Sequence, residues 1–160
     1  MIVRDATDRD LAHVVWNMRD ADAREVYASR FVEDPRELVK ELAALRPRCL
    51  TLSALCGADG RAIGLIGAVL MWPGACSAIL IATDDWPKIA FAATRWVKRV
   101  FLPIYVAPTC HRAQCEVWEG NAVSIAWLES MGAKREGRLE RYGKNGEHFL
   151  PYAWLRSEKP

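Results

Sequence analysis

The chain lacks any CxxC pair, and its cysteines are odd in number: Cys49, Cys56, Cys76, Cys110 and Cys115. That argues against the disulfide framework of a small secreted domain and favours a reducing compartment such as the cytoplasm. A strong charge of either sign is also missing. With a net charge of +2 over 160 residues and Lys and Arg scattered along the chain, there is no electrostatic footprint for DNA or RNA. The opening MIVRDATDRD meets charge at Arg4 and Asp5, so it has no apolar core of a signal peptide.

Internal repeats, linkers and low-complexity stretches are absent as well, and a composition of 26% charged and 51% hydrophobic residues argues against disorder. We expect one domain over residues 1–160, long enough to bury its own core. Charge is missing locally from Ala62 to Thr83, a stretch long enough to cross a bilayer. Pro73-Gly74 interrupts it, as do Gly64 and Gly67, and the better reading is two central strands joined by a turn at Trp72-Pro73-Gly74. No membrane partner is expected.

What is present is a change of period along the chain. Ile2 to Arg4 reads as a short strand, and Thr7 with Asp10 as the start of a helix whose Leu11, Val14, Val15 and Met18 share a face. ADAREVYA at 21–28 is a second helical piece. Asp34-Pro35 opens a third, with Leu38, Leu42 and Leu45 as its stripe. From Cys49 the pattern becomes that of an antiparallel meander as far as Thr83. Asp84-Asp85-Trp86-Pro87 then leads into a helix running through Phe101. Pro103 and Pro108 bracket a loop, His111 to Trp118 reads as a strand, and Ala122 to Met131 as a helix stopped by Gly132. A closing hairpin, roughly 134–142 and 148–155, turns at Lys144 to Gly146. The order predicts an α+β domain with one mixed sheet of six to seven strands and about four helices.

The run CEVWEGNAVSIAWLESMGAKREGRLERYGKNGEHFLPYAWLR resembles the closing half of the GNAT superfamily, the acyl-CoA-dependent N-acyltransferases. Asn121, Ser124, Leu128, Gly132 and Glu136-Gly137, with Tyr152 and Leu155 in the last strand, are similar to the branch that acetylates ribosomal-protein amino termini. Residues 18–26 and 126–133 are also similar to small GNAT-like proteins encoded beside virion genes in T7-type phages, which would imply virion partners.

The resemblance implies acetyl-CoA or another acyl-CoA as cosubstrate and a primary amine as acceptor. It places the pyrophosphate at the strand-to-helix loop, on Lys88, Ile89, Ala90, Phe91 and Ala92, and the thioester carbonyl at a backbone N–H of Ala82 or Thr83. The loop departs from the family's glycine-rich pattern: Pro87 stands where Gln or Arg is usual and Ala90 where Gly is usual. Asn121 would hold the pantetheine amides, and Ser124 would return a proton to the CoA thiolate. Beside this stands the plainer reading of Asn121 as an N-cap and Ser124 as a first-turn residue. Leu128 takes the place of the Tyr that many GNAT enzymes use.

Glu116 and Glu119, on the fifth strand, are the candidate bases, with Asp84 behind them; the pleat decides whether Glu116 meets cleft or solvent. No set of residues has the spacing of a metal site. Two functions remain open: an N-acetyltransferase, or a protein that kept the sheet, lost the cofactor loop and serves as a binding or structural module. A homodimer is compatible with either.

Overall fold

The computed structural model describes residues 1–156. Seven strands form one mixed sheet in the order β1-β2-β3-β4-β5-β7-β6. The first four, β1 (Ile2–Asp5), β2 (Cys49–Cys56), β3 (Ala62–Trp72) and β4 (Ala75–Ala82), run antiparallel to one another in succession. The charge-free stretch is thus β3 and β4, and no helix among the described residues is long and apolar enough to cross a membrane. Gly74 makes the tight reversal between the two strands with φ +86°, a left-handed conformation that favours glycine.

α1 (Asp8–Trp16), α2 (Asp20–Ala28) and α3 (Pro35–Leu45) precede β2. α1 begins with a full capping box: the Thr7 hydroxyl accepts from the Asp10 N–H, and the Asp10 carboxylate accepts from the Thr7 N–H at 2.9 Å. Arg4 joins it at 2.5 Å and 2.9 Å, so the strand end and the helix start are fixed together. Leu11, Val14, Leu38 and Leu42 pack on Leu65 and Ile81, which forms the core on one face of the sheet.

The other face carries α4 (Ala90–Trp96) and α5 (Ala122–Ser130). The helix does not stop near Phe101: past Trp96 it continues as Val97–Val106, into the loop expected between Pro103 and Pro108. It widens into a π-helix, with Ala107 N–H reaching back to Leu102 C=O at 2.8 Å, and the wide turn accommodates the N–H that Pro103 lacks. Val97 and Phe101 on this segment pack with Ile66, Ala82 and Trp86. The predicted closing hairpin is shorter than expected. β6 is only Lys134–Arg135, and one further bridge, Leu139 to Phe149, ties the segment to β7 (Phe149–Leu155).

The crossover through α4 makes β5 (Arg112–Trp118) parallel to β4, as a helical crossover requires. Their ladder lasts for three pairs, Ala75↔Arg112 to Ser77↔Gln114, and then stops. Beyond it the two strands diverge. β5 keeps its full antiparallel register with β7, so it is the β4–β5 edge that opens.

Candidate active site

A cavity of about 380 Å³ runs through this gap from one face of the sheet to the other. On the α4 and α5 side it is walled by Val97, Phe101, Trp127 and Leu128; on the α2 and α3 side by Val26, Leu38, Leu42 and Ile79. Successive side chains on a strand point to opposite faces. Cys115 and Val117 pack with the α5 side, which turns Glu116 toward α2 and α3, where it lines the cavity. Its neighbour Glu119 is held instead in a two-pronged ion pair by Arg138, at 2.9 Å and 2.7 Å, on the exposed side. Asp84 is exposed.

The acid with the most consequential surroundings lies elsewhere. Glu25 of α2 reaches across to the open end of β5, where Oε2 accepts from the Trp118 N–H at 2.9 Å and the Asn121 side-chain amide at 3.1 Å. Burial pushes its carboxyl up to about 7, against the pull of those two donors. Oε1 has no hydrogen-bond partner among the described residues, and the residue lines the cavity.

Three residues earlier, Asp22 does the same for β4: Oδ2 accepts from the Ala82 N–H at 2.7 Å. Arg19 grips Asp22 by a bidentate pair and passes over the Trp86 ring at 5.8 Å. The Asp22 carboxyl is raised by burial, partly offset by Arg19. One helix therefore supplies an acid to each lip of the gap.

These bonds bear on the expected cofactor contacts. The Ala82 N–H is held by Asp22 and the Thr83 N–H by Ile63 C=O at 2.8 Å, so neither is free to hold a carbonyl. Strand N–H groups alternate between edges. Thr83 faces β3 and Ala82 faces away, which places the Leu80 amide on the gap side, beyond the end of the ladder.

In the loop after β4, the Lys88 N–H bonds Asp85 C=O and the Ile89 N–H bonds Trp86 C=O, closing a tight 3₁₀ turn at Trp86–Lys88. The Lys88 ammonium pairs with Asp85 at 2.7 Å. Ala90, Phe91 and Ala92 precede the first intrahelical donor, Ala93, and their N–H groups lie ahead of the ladder. Trp86 anchors the turn: it is 7% exposed, meets Trp127 edge-on at 6.2 Å and lies over Gly64, where an added Cβ would come within 3.3 Å of its ring. The gap fits a pantetheine arm. The loop fits a pyrophosphate with three donors rather than five.

Asn121 is buried and doubly committed, its Oδ1 accepting from the Ser124 N–H at 3.3 Å and its amide donating to Glu25. The N-cap reading therefore describes its contacts. Ser124 lines the cavity, as does Leu128. Nucleophilic thiol chemistry finds no support, since burial pushes the Cys115 thiol up to about 12. Glu25, Asp22 and Arg19 carry no sequence signal that marks them as site residues. Arg19, Asp22 and Glu25 follow one another at three-residue spacing, but that pattern reads equally well as a solvated helix face.

This architecture, an antiparallel half and a mixed half parted between β4 and β5 with helices on both faces, is the fold of the GNAT N-acetyltransferases. Solved structures of that fold superpose over nearly the whole chain. A ribosomal-protein-alanine N-acetyltransferase from Brucella melitensis is 17% identical, with 98% of this chain and 100% of that one covered at a TM-score of 0.67. A spermidine N-acetyltransferase variant from Vibrio cholerae is 16% identical, with 97% and 95% covered at 0.69. An acetyltransferase of the GNAT family from Bacillus anthracis is 17% identical, with 96% and 93% covered at 0.67. The sequence matches no family model and no curated protein. The likeness to virion-gene neighbours finds no support among these structures.

Proposed function

We propose that the chain is an acyl-CoA-dependent N-acetyltransferase that moves an acetyl group to a primary amine by direct attack in a ternary complex. The observation that carries this reading is the parting of β4 from β5 after three pairs around a cavity that opens on both faces. A thioester arm and an amine can then approach one another from opposite sides of the sheet.

In this reading the Leu80 amide and the first N–H groups of α4 receive the cosubstrate. Glu25, through its free Oε1, takes the proton from the incoming ammonium, and Glu116 faces the same arm of the cavity. The amine nitrogen then bonds to the acyl carbon and the carbon–sulfur bond breaks; Ser124 gives its proton to the thiolate and regains one from the nitrogen, which leaves the neutral amide and the free thiol. Two of the solved neighbours are named for amine acceptors, spermidine and a ribosomal-protein alanine.

The second reading, a binding module, draws on the loop: Pro87 offers no donor, and the N–H groups of Lys88, Ile89 and Ala82 are already bonded. Thermal melting with acetyl-CoA separates the two. Saturation at a hundredfold over Kd stabilises by about 2.7 kcal/mol, roughly 5–10 °C for a domain of this size. No shift at millimolar acetyl-CoA would refute the transferase reading and leave the module.

A further inference from the structure

The acceptor arm of the cavity has an uneven distribution of charge. Among the described residues, three carboxylates line it: Glu25, Glu41 and Glu116. Glu41 is neutralised by Arg30, which donates to both of its oxygens at 2.9 Å and 2.7 Å. The arm widens at the surface into a depression where exposed Phe31, Val32 and Tyr142 stand beside Ser29 and the ion-paired Arg30, Glu37 and Glu41. There too the acids are paired, Glu37 with Lys40 at 2.8 Å and Glu33 with Lys144 at 2.7 Å. Of the three that line the arm, Glu25 and Glu116 have no ion-pair partner among the described residues, Glu116 accepting only a long bond from the Gln114 side-chain amide at 3.5 Å. The rest of this wall is mostly apolar, Val26, Leu38, Leu42 and Ile79, with Ser29 and Ser77 beside them.

We infer, on the transferase reading above, that the acceptor is a monoamine with a hydrocarbon or aromatic body, its ammonium at Glu25 and Glu116 and its body against Val26, Leu38, Leu42 and Ile79. A single positive charge finds carboxylates at the deep end. A second ammonium, as in a di- or polyamine, would lie in the apolar sleeve, where losing its water has no compensating bond. The mouth also has fixed sides: the Lys144 N–H donates to Ala28 C=O at 2.8 Å, and Lys144 pairs with Glu33, so the turn after β6 is tied to the start of the α2–α3 connection. The apolar edge at Phe31 and Tyr142 continues the sleeve outward and suits a hydrocarbon end rather than a charged one.

The test is a series of acceptors with the full chain and acetyl-CoA, the acetylated product being measured by mass spectrometry because five cysteines would confuse a thiol reagent. Butylamine, pentylamine, hexylamine and 2-phenylethylamine are compared with spermidine and with a Leu-initiated peptide. Each added methylene should raise kcat/KM about fourfold until the sleeve is full. Hexylamine and phenylethylamine should exceed spermidine. Val26→Asp, which sets a carboxylate in the sleeve, should invert that preference, and the alkylamine series decides alone if this variant does not fold.

A flat response along the series, a preference for spermidine, or a Leu-initiated peptide outpacing hexylamine overturns the inference. Calorimetric titration of hexylamine into the chain without acetyl-CoA keeps the two claims apart. Loss of the acetyl-CoA melting shift alone sinks the transferase reading, whereas a chain that takes acetyl-CoA and ignores hexylamine sinks the monoamine site.

Discussion

Replacing Glu25 by Gln should remove a defined pH dependence from the stability of the fold. The carboxyl stands at about 7 in the folded chain against an ordinary value of 4.5. Because the fold favours the protonated form, its contribution is fully present below 4.5, declines as pH rises toward 7, and is lost above it. The difference, about 7 less 4.5, corresponds to about 3 kcal/mol at 1.36 kcal/mol per tenfold. Gln keeps a carbonyl oxygen for the Trp118 and Asn121 donors and cannot ionise. Urea unfolding of both proteins at pH 5, 6, 7 and 8 should show the variant gaining about 2–3 kcal/mol on the parent across that range, with unchanged m-values. Parallel stability curves would refute the burial argument. In the transferase assay, the parent's kcat/KM should rise through an inflection near pH 7, which the variant lacks.

Ser124→Ala should lower kcat by roughly 100-fold while leaving the acetyl-CoA melting shift intact; an unchanged rate removes Ser124 from the mechanism. Asp22→Asn strands the mostly buried Arg19 guanidinium and should cost about 3 kcal/mol in urea unfolding, where a loss under 1 kcal/mol would show that the ion pair matters little. Gly74→Ala meets both a positive φ and the His111 ring at 2.4 Å from the added Cβ, and a destabilisation of about 1–2 kcal/mol should follow as a lowered Tm.

The elements that a local rule defines were legible in the sequence. Thr7 and Asp10 announced α1, and Asp34-Pro35 announced α3, because capping is chemistry within three or four residues. The meander followed from period and from Pro73-Gly74. The helix beyond Phe101 was missed because Pro103 signals a stop, and only packing of the segment on the sheet selects the wide π turn. The site was legible in part. Ser124 and Glu116 do line the cavity, yet the face of Glu116 depends on the pleat. Glu25 could not have been found by pattern, since its partners Trp118 and Asn121 lie 93 and 96 residues away and burial of a helix acid leaves no periodic signature.

Asp22 and Glu25 anchor one short helix to both lips of the opening, so α2 works as a spacer bar whose grip depends on its protons. A cationic guest at Oε1 leaves Oε2 on the Trp118 N–H, and the ionised carboxylate that it favours accepts that bond more strongly, so the β5 end stays latched while Asp22 keeps hold of β4. Occupancy and proton count are then a single linked equilibrium, and alkaline solution and a cationic guest both push it the same way, toward an ionised Glu25.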